Sequence, residues 1–219
     1  MDSVLQLLLT FLDVNAPTSD CEFENWRIIP VAQGRNNRLY RAVSDIHDIA
    51  VKFMIRDDRG RARREYLALQ ALRSASLAIA PVPLLYQPDT FALPVVVQEW
   101  CEGFVSSGPP EDDNEWHLLV EHYAAIHSVT EASSCELLSD AIANKGTLPS
   151  AMAYIDGLIP PIPMSARPAD LDRLLYRVKE SVLPGWNPPP RSLCRVDPNP
   201  LNLIRLPAKW KSVDWEYAG

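Results

Sequence analysis

The chain has 219 residues, 47% hydrophobic and 22% charged, which suits a soluble globular protein of one large domain or two small lobes. Its net charge of −7, from 28 acidic against 21 basic side chains, argues against nucleic acid or an anionic membrane as the main partner, and leaves a cationic small molecule open. Four scattered cysteines without a CxxC pair argue against a disulfide frame or a zinc site and point to a reduced, cytoplasmic setting.

Residues 1–14 carry Val4, Leu5, Leu8, Leu9 and Leu12 at helical spacing, with Asp2 and no early basic residue. This predicts a docked amphipathic helix rather than a signal peptide. Short β-type runs follow at 27–31, 38–43 and 48–54, with a fourth at 94–100. Between the third and fourth, Ala68, Leu69 and Leu72 mark a helix over 61–74. The stretch 103–113, rich in proline and acid, divides an N-terminal lobe (1–102) from a C-terminal lobe (103–219). From Asn114 the pattern turns helical, with one stripe of Trp116, Leu119, Val120 and Tyr123 and another of Leu171, Leu174, Leu175 and Val178. Pro168 and Pro184-Gly185 bracket the second helix. Runs at 201–206 and 210–214 form a hairpin across Pro207-Ala208. The order predicts an α+β fold of two lobes.

The chemistry gathers at a few positions. In the 49–54 run, Ile49, Val51 and Phe53 face one side and Ala50, Lys52 and Met54 the other, so the Lys52 ammonium is buried or faces a cleft. A buried ammonium requires a partner. Glu65 shares the inward face of its helix with Ala68, Leu69 and Leu72, whereas Arg61, Arg63 and Arg64 can reach solvent. One inward cation and one inward anion suggest an ion pair, either a helix–strand bridge or the pair that steadies the α- and β-phosphates of a nucleotide. The 33–37 loop, with Gly34, Arg35 and Asn36, lies between two strands upstream of Lys52 and could fold over phosphates; an ordinary hairpin turn fits the same letters. Backbone groups from Glu99 to Cys101 could pair with an adenine edge, or could simply end a buried strand. His127, eleven residues after Trp116, reads as a core histidine rather than a catalytic base.

Asp197-Pro198-Asn199-Pro200-Leu201-Asn202 has the D-x-x-x-x-N spacing of a kinase catalytic loop, and Asp214-Trp215-Glu216 follows. Phosphoryl transfer needs a carboxylate to orient the attacking hydroxyl, here Asp197. It also needs hard oxygen ligands for Mg²⁺, here Asn202 and Asp214.

On these residues the chain resembles the aminoglycoside phosphotransferase and choline kinase-like superfamily over residues 28–219. The specific parts are Arg63-Arg64-Glu65-Tyr66, Ala124-Ala125-Ile126-His127-Ser128, the Asp197–Asn202 loop and Val213-Asp214-Trp215-Glu216-Tyr217-Ala218-Gly219. The resemblance implies a two-lobe protein-kinase-like fold: an N-terminal antiparallel sheet with a helix, and a mainly helical C-terminal lobe with a catalytic β-hairpin. It implies ATP or GTP as donor with Mg²⁺, a catalytic Asp197, metal binding by Asn202 and Asp214, and phosphate anchoring by Lys52 with Glu65. The expected reaction moves the γ-phosphate to a hydroxyl of a small molecule: an aminoglycoside, amino alcohol, amino acid or sugar. A nucleotide-binding pseudokinase or interaction module is the alternative, and a protein kinase is disfavoured because no long activation segment or Ala-Pro-Glu motif follows Asp214. The sequence departs from the family at Arg195 and Val196, where His-Gly is usual, and at Asn199, where a second His is usual. Relatives continue past the Asp-Trp-Glu segment with helices that complete the acceptor pocket, so the expectation is a fragment of a longer frame, or else a naturally shortened relative.

Overall fold

The computed structural model describes residues 3–31, 37–130, 138–141, 147–182 and 190–219. Helix α1 (Ser3–Asn15) opens the chain. It is followed by β1 (Cys21–Phe23), β2 (Trp26–Pro30), β3 (Asn37–Val43), β4 (Asp48–Met54), α2 (Arg61–Ser74), β5 (Pro83–Gln87) and β6 (Val95–Glu99). The six strands make one antiparallel sheet in the order β1-β2-β3-β4-β6-β5. β1 and β5 are not legible as strands in the sequence: one is three residues long, and the other begins at a proline and pairs through an irregular register.

The alternation along β4 determines what covers the sheet. Ile49, Val51 and Phe53 pack with Val95 and Val97 against Leu8, Leu9 and Leu12 of α1, on one face. Met54 and Val96 cluster with Ala62 of α2 on the other. A strand buried on both faces has no solvated side on which to place a charge, and Lys52 lies in the middle of it.

The chain continues through β7 (Phe104–Val105) and α3 (Asp113–His127) and later returns as β8 (Leu203–Leu206) and β9 (Lys209–Ser212). β7, β8 and β9 form a second antiparallel sheet. Asp112 caps α3 by accepting the Glu115 N–H at 2.8 Å, which satisfies a helix-start donor, and the Glu115 carboxylate accepts the Glu111 N–H at 2.9 Å, which ties the residue before the cap to the first turn. The α3 stripe differs from the expected one: Trp116 and Val120 are exposed, and His122 and Ile126 are buried. The burial follows position rather than hydropathy, because His122 faces β9, where its Nδ1 meets the Trp210 carbonyl at 3.1 Å. His127, expected in the core, is exposed.

The chain divides into two compact units, residues 1–142 with 192–219, and residues 143–191. The smaller unit holds α4 (Leu148–Leu158) and α5 (Leu171–Val182). Thr147 and Ser150 form a reciprocal capping box at the start of α4, and Lys179 of α5 pairs with Asp156 of α4 at 2.7 Å. On the second predicted stripe Leu174 is exposed, so α5 does not bury that face whole. Pro184-Gly185 lies outside the described residues. Among the described residues no helix is long and apolar enough to cross a membrane.

The α1–sheet packing gives a direct test. Leu8 is fully buried and Leu7, its neighbour, is 55% exposed. Leu8→Ala is expected to cost about 2–5 kcal/mol, and Leu7→Ala less than about 0.5 kcal/mol, in urea unfolding.

Candidate active site

Three chain segments of the larger unit, together with the 197–202 loop, bring the predicted residues together. The first is β4. Its pairing with β6 sets Lys52 opposite Val96, and its pairing with β3 sets Lys52 opposite Leu39, in the interior of the sheet. The second is α2, where Gly60 at φ 62° turns the chain into the helix. The third is the 213–219 segment, clamped under α2 and α3: Trp215 and Ala218 are fully buried among Ala68, Leu69, Leu72, Ile126 and Leu193. The Trp215 ring N–H bonds the Ser212 carbonyl at 3.0 Å, and Gly219 pairs with Cys194 through both backbone groups. A Cβ at Gly219 would collide with the Asp140–Ala141 backbone, so that close approach requires glycine.

Lys52 Nζ lies 2.6 Å from Glu65 Oε1 and 3.5 Å from Asp214 Oδ1. Burial alone would lower the ammonium's pKa, but the carboxylates of Glu65 and Asp214 more than offset it, and the net shift is upward. Burial also dominates at Glu65, raising its carboxyl to about 7 against the opposing pull of Lys52. Lys52 occupies only one Glu65 oxygen, and the buried Oε2 has no partner among the described residues.

The 197–202 loop closes on itself. Asp197 Oδ1 accepts the Asn199 N–H at 3.0 Å, Asn199 Oδ1 accepts the Leu201 N–H at 3.1 Å, and a 3-10 turn spans Pro200–Asn202. These Asx bonds account for asparagine at 199. Asn202 Nδ2 donates to Asp197 Oδ2 at 2.9 Å and approaches Asp214 Oδ2 at 3.4 Å. The Asn202 carbonyl accepts the Val213 N–H at 3.0 Å, which ties the loop to the strand end carrying Asp214. Asp214 itself takes φ 64°, a left-handed conformation that aspartate tolerates better than most residues. Asp197, Asn202, Asp214 and Lys52 are therefore linked by contacts of 3.5 Å or less, in one half-exposed corner.

This donor set fits a magnesium ion. The Asp214 carboxylate and the Asn202 amide would supply hard oxygen and leave positions for water and phosphate, as Mg²⁺ prefers. Among the described residues no group of three or more His, Cys, Asp or Glu gathers as an all-protein metal cage. Asn202 now directs its nitrogen at both carboxylates; turning its amide over would present Oδ1 to a cation instead.

The remaining predicted positions behave differently. Gly34, Arg35 and Asn36 lie outside the described residues. At the strand end, the Glu99 N–H bonds the Val82 carbonyl at 2.9 Å and the Trp100 N–H bonds the Asp48 carbonyl at 3.0 Å, so a donor to a base edge there falls to Cys101. The Cys101 sulfur sits 3.9 Å from Lys211 Nζ, and burial pushes its thiol pKa up. Arg61, expected at the surface, is buried, with Nη1 2.9 Å from Glu216 Oε1 and Nε 2.8 Å from Asp57 Oδ2. Arg64 is half-buried and donates Nη1 to the carbonyls of Asp140 at 2.8 Å and Ala218 at 3.0 Å; Arg63 is exposed as expected. Arg61 and Glu65 are one helical turn apart, the signal that could have placed Arg61 on the inward face.

Arg195 and Val196, which precede Asp197, are both held in costly surroundings. Arg195 is 2% exposed; Nη2 reaches the Asn199 carbonyl at 3.5 Å, and Nε and Nη1 have no partner among the described residues. Burial lowers its pKa. Val196 holds φ 72°, a left-handed backbone that a β-branched side chain resists at a cost of about 1–3 kcal/mol. Val196→Gly relieves that strain at the expense of a more flexible unfolded chain, so the net effect is expected to raise stability by about 0.5–1 kcal/mol in urea unfolding.

His122 gives a second prediction. Burial lowers its pKa to about 4, the Trp210 carbonyl opposes the shift, and Arg195 adds to it. The folded chain therefore holds a neutral ring while the unfolded chain binds a proton below the ordinary value of 6.5. The stabilisation is present above pH 6.5 and lost as pH falls toward 4, at about 1–2 kcal/mol between pH 7 and pH 5. His122→Gln keeps a donor for the Trp210 carbonyl and should remove this part of the acid sensitivity, read by thermal unfolding across that range.

No protein-family model matches the sequence, and no curated protein matches it. Solved structures do. A choline/ethanolamine kinase family protein from Mesorhizobium loti superposes with a TM-score of 0.58 at 18% identity, covering 88% of this chain and 58% of that one. A spectinomycin phosphotransferase in complex with ADP and spectinomycin gives 0.58 at 13% identity, covering 97% and 69%. A thermostable mutant of an aminoglycoside phosphotransferase, in ternary complex with ADP and hygromycin B, gives 0.62 at 13% identity, covering 100% and 72%. The chain thus spans between 58% and 72% of the length of these structures. In its fold the chain is similar to the aminoglycoside phosphotransferases and the choline/ethanolamine kinase family, the α+β fold of small-molecule phosphotransferases.

Proposed function

We propose that this chain is the nucleotide-binding and catalytic part of a Mg²⁺-dependent phosphotransferase that moves the γ-phosphate of ATP to a hydroxyl of a small molecule. The observation that carries the reading is the convergence of Lys52, Asp197, Asn202 and Asp214 in one corner, with Glu65 holding the lysine from behind. On this reading residues 1–102 hold the nucleotide and residues 103–219 carry the catalytic loop.

Each residue then has a task suited to its surroundings. Lys52, kept charged by Glu65 and Asp214, binds the α- and β-phosphate oxygens. Asn202 and Asp214 hold the metal, which offsets the negative charge of the phosphates. Asp197 sits on a loop braced by its own hydrogen bonds, accepts a hydrogen bond from the acceptor hydroxyl and orients it for in-line attack. Glu99 and Cys101 border the base, with the Cys101 N–H as donor. The chemistry demands positioning and electrostatics, and the corner supplies both without a covalent intermediate.

The test begins with binding. ATP with Mg²⁺ at about a hundred times its dissociation constant is expected to raise stability by roughly 2.7 kcal/mol, on the order of 5–10 °C in melting temperature. The shift should need Mg²⁺ and vanish in Asp214→Ala. GTP in parallel distinguishes the donor. Asp197→Asn should abolish transfer to an acceptor panel of aminoglycosides, amino alcohols, amino acids and sugars while leaving nucleotide binding intact; equal loss of both would remove Asp197 from its assigned role. Metal-dependent nucleotide binding by a chain that transfers phosphate to none of these acceptors would favour a nucleotide-binding module without catalysis.

A further inference from the structure

Glu216, two residues beyond Asp214, has no task in the scheme above, yet it is 6% exposed and both of its oxygens are engaged. Oε1 accepts Arg61 Nη1 at 2.9 Å, and Oε2 accepts Asn37 Nδ2 at 3.0 Å. Each partner is itself tied down. Asn37 Oδ1 accepts the Ile55 N–H at 3.3 Å, while Arg61 donates Nε to Asp57 at 2.8 Å and lies 5.4 Å from the Tyr217 ring centroid. One carboxylate therefore joins the first residue of β3, the first residue of α2 and the segment that carries Asp214.

Each of those segments presents a residue of the proposed centre or borders one. Glu65 is one turn along α2 from Arg61. Asn37 pairs with Met54 of β4, and two residues along that register Leu39 pairs with Lys52. Asp214 is itself 32% exposed in its side chain, against 7% for Glu216, so the two acids of the Asp-Trp-Glu segment face different surroundings.

We propose that Glu216 is a positioning residue for nucleotide binding: a latch that fixes β3 and α2 against the Asp-Trp-Glu segment, so that Glu65 stays on Lys52 and Asp214 stays within reach of both. This rests on the phosphotransferase reading. The latch predicts a specific pattern of loss and rescue. Glu216→Gln keeps an acceptor for Arg61 but turns an amide N–H toward the Asn37 amide, setting donor against donor. Asn37→Asp sets carboxylate against carboxylate. In the double variant, the carboxylate introduced at position 37 accepts both the amide N–H introduced at position 216 and the Ile55 N–H, and the pattern is restored with donor and acceptor exchanged.

The four proteins are compared by Mg²⁺–ATP titration, by melting temperature without ligand, and by the KM for ATP against kcat where turnover is found. Each single variant is expected to weaken ATP binding by about tenfold or more and to raise KM more than it lowers kcat. The double variant should return to within about threefold of the parent, and its ligand-free melting temperature should lie above the value that summing the two single losses gives. Wild-type affinity in Glu216→Gln, or additive losses in the double variant, would overturn the latch. A raised Mg²⁺ requirement in Glu216→Gln that Asn37→Asp does not repair would make Glu216 a metal ligand instead, and would also overturn it. Should the parent chain bind no nucleotide, the phosphotransferase reading fails, while the ligand-free melting temperatures still decide whether residues 37 and 216 are coupled.

Discussion

The arrangement depends on one buried cation. An ammonium in the middle of a strand with covered faces must be neutralised or met by carboxylate, and desolvation makes the first contact obligatory rather than optional. Glu65 provides it at 2.6 Å from α2, and Asp214 adds a second at 3.5 Å from the end of the β8–β9 hairpin. Strand, helix and hairpin are thereby brought to a common point by charge, while the apolar cluster of α2, α3, Trp215 and Ala218 supplies the bulk of the packing around it. Arg195 is the contrasting case. It is a buried cation whose Nε and Nη1 have no partner among the described residues, lodged beside a valine in a left-handed backbone, whereas the Lys52 ammonium is met by two carboxylates.

Much of this is legible in the letters, and the reasons are specific. Lys52 and Glu65 stand out because each is a charge on an otherwise apolar face, and a charge in such a place must find its opposite. The 61–74 helix and the 48–54 strand are readable to the residue because apolar periodicity and local propensity agree there. The spacing from Asp197 to Asn202 marks the loop because the loop is built from local Asx bonds, which sequence encodes directly.

Where sequence and structure part, the cause is shared. Helix α3 has apolar residues at several phases, and only the tertiary partner decides which are buried; β9 selects His122, so hydropathy points wrongly to Trp116 and Val120, and the same stripe misplaces His127. Arginine usually goes to solvent, but Arg61 is drawn inward by Glu216, 155 residues away, and no local pattern announces that partner. Asn37 and Glu216 are separated by 179 residues, beyond any short-range signal. Fold likeness at 13–18% identity has the same character: a shared arrangement of sheet and helices survives where the letters that specify it have mostly changed.

Helix α2 is anchored at three places near its start: Arg61 to Asp57 and Glu216, Arg64 to the Asp140 and Ala218 carbonyls, and Glu65 to Lys52. A rod pinned at one point can pivot, and a rod pinned at two can roll. One pinned along its first turn and a half can do neither. Swinging this helix away from the sheet would require all of these bonds to open together, stranding the Lys52 ammonium and the Glu216 carboxylate in a dry interior at the same moment. Control by graded tilting of α2 is therefore closed to this architecture, and the helix is either fully seated or detached.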